Sequence, residues 1–225
     1  MSFVRCIRTL QVGGSNMKMD QLSSEKRNRI VNALVKEYAQ RGYLNASTNS
    51  IVKDAGISKG SLFNYIGNKE AQYCYIVSYV LNFFKDKLHD YMTGVDVPKD
   101  YFESLLFKSN MKIKMSLEYP LEYKLMFDAY MEESPEIKAF MAEKYAFFSD
   151  LSMQNGRETL DSETLKDPND RDKIVEVVHH LIAGYSTNYL NSRKKLSEDE
   201  IVEVLEKMTV ELDTYFQLFR KHFFK

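Results

Sequence analysis

Residues 42–70, GYLNASTNSIVKDAGISKGSLFNYIGNKE, decide the fold of this chain. They predict two short helices, one capped by Ser47 or Thr48 and the next by Ser58, because hydroxyl side chains satisfy the free N–H groups of a first helical turn. Gly56 stands between them and tolerates the positive φ of a tight turn. Small or aliphatic residues occupy the positions where the helices would pack: Ile51, Ala55, Ile57 and Leu62. The segment therefore predicts a helix-turn-helix.

Helices are also predicted on both sides of this motif. A first helix starts at Ser23 or Ser24 and ends at Gly42. A longer helix starts at Asn68, after the break at Gly67. The apolar residues of both recur with a period of about 3.6, as they do on the buried face of a helix.

The helical pattern continues along the rest of the chain. The predicted elements are a helix opened by Pro98 and stopped by Pro120, a helix over residues 121–131, a helix that starts at Ser134-Pro135-Glu136, a polar loop over residues 161–170, and two long helices. The second long helix begins with the capping box Ser197-x-x-Glu200. No segment shows the alternation that is typical of a strand.

The sequence therefore predicts an all-α protein in three parts. Residues 1–19 are expected to be a leader without regular structure, in which Met17 or Met19 is an alternative start. Residues 20–67 form an N-terminal three-helix head with the helix-turn-helix, and residues 68–225 form a C-terminal helical body. The leader lacks the long apolar centre of a secretory signal.

The composition is that of an ordinary globular protein. Of its 225 residues, 44% are hydrophobic and 28% are charged, which excludes a disordered or collagen-like chain. Its two cysteines, Cys6 and Cys74, cannot build a disulfide framework and favour a reducing compartment. No stretch approaches the roughly 18 consecutive apolar residues of a membrane helix. We therefore expect a soluble cytoplasmic protein with no membrane partner.

The charges are unevenly distributed although the net charge is only −1. Residues 17–70 carry nine basic and five acidic residues, whereas residues 71–225 carry 20 basic and 27 acidic residues. A basic head on an acidic body is expected where only the head meets a polyanion. The alternative is that this difference in charge is ordinary variation of a solvated surface without a function.

The motif resembles the DNA-binding head of the TetR family of transcriptional regulators. The matching residues are Gly42-Tyr43, Ser47-Thr48, Ile51-Val52, Ala55-Gly56-Ile57-Ser58-Lys59-Gly60-Ser61-Leu62, the aromatic Phe63, Tyr65 and Lys69-Glu70. The specific resemblance covers about fifty residues, from 29 to 77, and the body resembles the family in length and helical pattern.

The resemblance implies a set of DNA contacts. Thr48 and Lys69 are expected to contact phosphates, and the start of the second motif helix is expected to lie against the major groove. The groove-facing residues would be Ser58, Lys59, Gly60, Ser61, Asn64 and Tyr65, with asparagine able to pair with adenine. Phe63 departs from the tyrosine that is usual in the family and lacks a hydroxyl for phosphate.

Each of these residues also has a purely structural interpretation. Thr48 and Ser58 are expected in any helical protein as caps, and Lys59 and Lys69 as solvated charges. Phe63 is then a packing residue.

The resemblance also implies that the body binds a small molecule and forms a dimer. Seven of the 11 methionines lie between residues 92 and 153, and methionine suits a pocket for varied apolar molecules. The candidate ligand-binding residues are Phe107, Met111, Met115, Phe127 and Met131; the alternative for each is ordinary core packing. Two copies are expected to associate through the two C-terminal helices and to bind a palindromic operator.

No pattern predicts catalysis or metal binding. Glu176-x-x-His179 has the spacing of di-iron bundles, but the chain lacks a second copy of this motif. Phosphate-binding glycine loops, zinc-binding arrays and nucleophile elbows are also missing from the sequence. We therefore expect neither an enzyme nor a bound cofactor or metal.

The sequence thus predicts a DNA-binding regulator that responds to a small apolar or amphipathic effector, and by family habit a repressor. The alternative is a helical enzyme or interaction module in which the helix-turn-helix is structural only. The charge asymmetry and the motif together favour the regulator.

Overall fold

The computed structural model describes residues 17–191 and 196–225, which are almost entirely helical. The helices are α1 (Met17–Asp20), α2 (Ser24–Asn45), α3 (Thr48–Ala55), α4 (Lys59–Tyr65), α5 (Lys69–Met92), α6 (Tyr101–Glu118), α7 (Pro120–Met131), α8 (Pro135–Thr159), α9 (Arg171–Asn191) and α10 (Glu198–Phe223). Two 3₁₀ turns, Ser162–Thr164 and Pro168–Asp170, occupy the predicted polar loop. The all-α prediction is therefore confirmed.

The chain divides into two compact units within α5, after Phe83. The sequence placed this division at residue 67, before α5 begins. The early part of α5 packs into the head, with Tyr73 and Ile76 fully buried there. None of the helices within the described residues is long and apolar enough to cross a membrane.

The head has a continuous apolar core. Its fully buried side chains include Ile30, Leu34, Tyr38, Ile51, Leu62, Tyr73 and Ile76. Helix α2 packs along α3, and the Tyr38 and Tyr73 rings meet edge to face with their centroids 5.0 Å apart. The apolar stripe predicted for α2 thus packs against the helix-turn-helix and forms part of the core of the head.

Helix α2 departs from its predicted end. Gly42 leaves helical geometry with φ 70° and ψ 173°, as its predicted role as a terminator requires. The helix then resumes for a short stretch to Asn45, and the Ala46 N–H donates to the Gly42 carbonyl. The glycine is therefore a kink inside α2.

The ordered head begins earlier than the sequence predicts. Residues 1–16 of the predicted leader lie outside the described residues, but residues 17–19 belong to α1. The Met19 side chain is fully buried, and α1 contacts α4. Burial of this apolar side chain fixes the segment, so the extension of the leader to residue 19 is wrong.

The body is held by packing between α6 and α10. Its buried cluster comprises Tyr101, Phe102, Leu160, Leu165, Ile174, Val175, Val178, Leu212 and Phe216. The Phe102 and Phe216 rings stack with centroids 4.9 Å apart. This contact joins the N-terminal turn of α6 to the C-terminal part of α10.

The start of α6 is set by Asp100, not by the predicted Pro98. An Asp100 carboxylate oxygen accepts from the Glu103 N–H at 2.9 Å. The Asp100 carboxylate also pairs with Arg220 in a bidentate fashion, and the Arg220 guanidinium carbon lies 5.4 Å from the Phe102 ring centroid. One aspartate therefore caps α6 and fastens it to α10.

Candidate nucleic-acid interface

The turn of the helix-turn-helix is built on Gly56. This residue adopts left-handed geometry with φ 64° and ψ 40°, and it ends α3. The following Ile57 N–H donates to the Val52 carbonyl at 3.0 Å, which satisfies a free carbonyl of the last turn. The predicted requirement for glycine at this turn is confirmed.

Helix α4 begins with the predicted serine cap. The Ser58 Oγ accepts from the Ser61 N–H at 3.1 Å, and the two hydroxyl oxygens lie 2.8 Å apart within hydrogen-bond distance. Leu62 is fully buried and attaches the helix to the head. The cap and this anchor hold the short helix in place while Ser58, Lys59 and Gly60 face outward as exposed residues.

Helix α3 is capped by Ser47, so Thr48 is left available. The Ser47 Oγ accepts from the Ser50 N–H at 3.4 Å, and the Ser47 N–H donates to a Glu37 carboxylate oxygen at 2.8 Å. Thr48 is the first residue of α3 and is half-buried. Its hydroxyl has no hydrogen-bond partner among the described residues.

The Lys59 ammonium also has no partner within the part of the chain that the structure describes. Lys36 differs, because its ammonium pairs with Asp54 at 2.8 Å. Hydrogen bonding within that pair lowers the pKa of Asp54 and raises the pKa of Lys36. Lys59 therefore presents an uncompensated positive charge on α4, whereas Lys36 is neutralised by its neighbour.

Asn64 is exposed on α4 and has a partner that the sequence did not reveal. Its Oδ1 accepts from the Lys18 ammonium at 2.8 Å, across the contact between α1 and α4. Lys18 thus lies beside the predicted recognition surface. Four residues are too short for a periodic pattern, so no sequence signal pointed to this lysine.

Tyr65 and Phe63 occupy different environments. The Tyr65 hydroxyl accepts from the Lys26 ammonium at 3.0 Å, and that ammonium lies 5.1 Å from the Tyr65 ring centroid. Tyr65 is half-buried and holds a second basic residue beside α4. Phe63 is 42% exposed, so it is not a core residue of the head.

Lys69 is held at the start of α5. Its ammonium donates to the Leu44 carbonyl at 2.8 Å and lies 5.8 Å from the Tyr43 ring centroid. The Tyr38 hydroxyl donates to the Lys69 carbonyl at 3.2 Å. An ammonium has three donors, so Lys69 keeps donors for a further acceptor.

The predicted ligand-binding residues lie on two neighbouring helices of the body. Met115 and Phe127 are buried, whereas Phe107, Met111 and Met131 are half-buried. These positions fit either a ligand lining or ordinary packing.

The Glu176 carboxylate is engaged by the Lys173 ammonium at 3.0 Å, and hydrogen bonding to Lys173 lowers the pKa of Glu176. Across residues 17–191 and 196–225, no group of three or more His, Cys, Asp or Glu side chains is arranged to hold a metal ion.

Known proteins match both the motif and the longer chain. A family model described as bacterial regulatory proteins, tetR family, matches residues 30–71. The HTH-type transcriptional regulator PksA of Bacillus subtilis (strain 168) is 25% identical over 187 residues, which cover 82% of this chain and 89% of PksA.

Solved structures share the fold. A transcriptional regulator from Saccharomonospora viridis, in complex with choline, is 18% identical with a TM-score of 0.60, and the match covers 90% of this chain and all of that one. FadR from Bacillus subtilis, in complex with stearoyl-CoA, is 16% identical with a TM-score of 0.58, covering 82% of this chain and 96% of FadR.

The glycine turn between α3 and α4 and the exposed polar surface of α4 define a helix-turn-helix. The family model for residues 30–71, the similarity to PksA and the shared fold of the solved structures support a TetR family transcriptional regulator.

Proposed function

We propose that this regulator is a homodimeric repressor that binds a palindromic operator and is released by a small amphipathic effector. The observation that carries the DNA-binding step is the outward presentation of Ser58, Lys59 and Gly60 on a short helix whose opposite side is anchored by Leu62. A helix of this kind fits the major groove.

The contacts on DNA fall into two groups. Thr48 and Lys69 supply phosphate contacts, because each has a hydroxyl or ammonium group that the head does not fully use. The remaining residues form the groove-facing set: Ser58, Lys59, Gly60, Ser61, Phe63, Asn64 and Tyr65. In this set Asn64 reads a base, and Phe63 contacts a thymine methyl group.

Lys18 and Lys26 add to this positive surface. They bond to Asn64 and Tyr65 respectively, so they lie beside α4. The Asn64 Oδ1 atom can accept two hydrogen bonds, so Asn64 can pair with adenine while it keeps its contact with Lys18.

The exposed apolar residues of α9 and α10 support the dimer. Val177 on α9 and Val210, Tyr215 and Leu218 on α10 are exposed in the single chain. Apolar side chains repeated on two long helices suit a self-complementary four-helix interface. The two-fold axis would place two α4 helices in successive major grooves, roughly 34–36 Å apart.

The body supplies the effector site in this proposal. PksA is a transcriptional regulator, and two proteins of the same fold were crystallised with stearoyl-CoA and with choline. Phe107, Met111, Met115, Phe127 and Met131 are the proposed lining. Effector binding would shift the population of helix arrangements in the body, and α5 would carry the change to the head.

The test is a fluorescence anisotropy titration of the full chain with duplex DNA from the region flanking its own gene, and with scrambled duplex of equal length. We expect tighter binding to the flanking DNA at physiological salt, with two chains on each site. No binding to any duplex at low ionic strength would refute the proposal and leave the helix-turn-helix as a structural element.

A further inference from the structure

Two lysines of α6 share a helical face with buried residues. A helix turns by 100° per residue, so positions spaced three or four apart share a face. On α6 this face runs through Tyr101, Ser104, Lys108, Lys112 and Met115. Tyr101 and Ser104 at one end of the series and Met115 at the other end are buried, and the two lysines lie between them.

The surroundings of these lysines differ from those of an ordinary surface lysine. Desolvation lowers the pKa of both ammonium groups, and the like charge of Lys108 lowers that of Lys112 further. Lys108 is half-buried, while solvent reaches the Lys112 side chain. The Lys112 ammonium is therefore accessible to a solute, although the protein atoms around it partly desolvate it.

The pair also has no compensating charge. Neither ammonium has a hydrogen bond or ion pair with any side chain that the structure describes. Two neighbouring lysines of the body are paired: Lys114 with Glu118 at 3.7 Å and Lys124 with Asp128 at 2.7 Å. Two like charges, desolvated one turn apart, destabilise the body unless an anion neutralises them.

An apolar ridge runs beside the lysine pair on the same helix. Phe107, Met111 and Met115 are spaced by four residues. Phe107 precedes Lys108, Met111 precedes Lys112, and Met115 lies about one turn after Lys112. Phe107 and Met111 are half-buried and Met115 is buried. The charged and apolar rows together match a molecule with an acidic head and a hydrocarbon tail.

We infer that Lys108 and Lys112 bind the anionic head group of an amphipathic effector, whose tail packs along Phe107, Met111 and Met115. This inference rests on the proposed function, since it assigns a chemical class to the effector. A carboxylate and a phosphate share the chemistry that two ammonium groups recognise. A cationic or uncharged head group would leave the lysine charges uncompensated.

The experiment is isothermal titration calorimetry of the purified full chain with four twelve-carbon amphiphiles, each below its micelle concentration. Dodecanoate and dodecyl phosphate carry the anionic head groups and distinguish the two sources of charge. Dodecanol and dodecyltrimethylammonium provide the uncharged and cationic heads. We expect at least one anion to bind about ten times more tightly than dodecanol, and the cation to bind more weakly still.

Substitutions assign the effect to the lysines. Lys108→Met with Lys112→Met shortens each unbranched side chain by one atom and removes both charges, so we expect the fold to be retained and anion affinity to fall by about tenfold. Lys108→Arg with Lys112→Arg keeps the charges and is expected to retain anion binding. Lys138→Met, on the exposed surface of α8, is the matched control and should bind anions as the wild type does.

The outcomes separate this inference from the proposed function. Equal affinity for anion and dodecanol, absence of anion binding, or undiminished anion affinity in the double methionine variant each overturns the inference. Operator binding by the ligand-free variants is measured in parallel, because the lysines lie outside the DNA-binding head. If the wild type shows no preference for the flanking DNA over scrambled duplex, the proposed function is refuted. The calorimetric titrations still decide whether the two lysines bind anions.

Discussion

At the scale of single residues, the geometry of the head depends on one backbone conformation. Gly56 adopts left-handed φ and ψ angles, and nothing lies within 4 Å of the place that a Cβ atom would occupy. The requirement for glycine is therefore conformational and not steric. The same residue orients α4, so its conformation affects both stability and DNA binding.

Replacing Gly56 with alanine tests this requirement. An L-residue in left-handed geometry costs roughly 1–2 kcal/mol, so Gly56→Ala should lower the free energy of unfolding by about 1 kcal/mol in urea denaturation. Gly56→Asn is the matched control, because asparagine tolerates this region better and should lose less. An alanine variant as stable as the wild type would contradict the argument.

Asn64 and Lys69 are predicted to differ in what they recognise. Asn64→Ala should weaken operator binding by roughly 1–3 kcal/mol and relax preference at one base pair, since it removes a base contact.

Lys69→Ala should weaken binding to all sequences, since it removes a phosphate contact. It should also lower by about one the salt slope, which is the dependence of the logarithm of the binding constant on the logarithm of the salt concentration. Anisotropy titrations on operator and random duplexes at several salt concentrations measure both effects.

Lys69→Arg controls for the structural role of Lys69. Arginine keeps the positive charge and retains donors for the Leu44 carbonyl. The arginine variant should keep the salt slope of the wild type. If Asn64→Ala and Lys69→Ala have equal effects on operator and random DNA, the roles assigned to them are wrong.

At the scale of secondary-structure elements, close helix packing in the body depends on a small residue. Gly156 on α8 faces α9, and a Cβ atom there would lie 2.8 Å from Val175 Cγ1 and 3.4 Å from the Tyr101 ring. Valine has one preferred rotamer in a helix, so its methyl group cannot easily move away. The helix period predicted α8 and α9, but it did not predict which residue sets their separation.

Gly156→Ala tests this contact. Alanine favours a helix by about 1 kcal/mol over glycine, but overpacking costs typically 1–3 kcal/mol, so we expect a net loss of about 1 kcal/mol. The combined variant Gly156→Ala with Val175→Ala removes the clashing methyl group. In thermal unfolding, Gly156→Ala should have a lower Tm than the wild type. The combined variant should have a higher Tm than Val175→Ala alone. The same sign in both backgrounds would exclude the clash.

The order of the elements could largely be predicted from the sequence, and their exact limits only in part. Caps determined the starts of α3, α4 and α10, because a hydroxyl side chain and a free N–H lie within a few residues of each other. The kink at Gly42 and the start of α6 at Asp100 differ from prediction. Asp100 caps α6 and also pairs with Arg220, 120 residues away.

At the scale of the whole molecule, the proposed function requires two chains. Val210 and Leu218 on α10 are 69% and 54% exposed in the single chain. Residues this exposed contribute little to the core of their own chain, so their substitution separates association from folding. A dimer would bury them, and the spacing of the two recognition helices would then set the operator length.

Val210→Glu combined with Leu218→Glu tests the dimer. Burying these carboxylates against a second copy is unfavourable, so we expect a monomer in sedimentation equilibrium and at least about tenfold weaker operator binding. Val95→Glu, at a 49% exposed position between α5 and α6, is the matched control and should remain dimeric. A double variant that still sediments as a dimer would place the interface elsewhere.

The sequence by itself determined the helix-turn-helix, its resemblance to the TetR family and the all-α class. These depend on contacts between residues a few positions apart, namely the serine caps, the left-handed Gly56 and the 3.6-residue apolar stripes. Only the tertiary structure joined Lys18 to Asn64, Lys26 to Tyr65 and Arg220 to Asp100. It also separated Lys108 and Lys112 from any described acidic partner, because pairing and desolvation depend on which distant helices pack together.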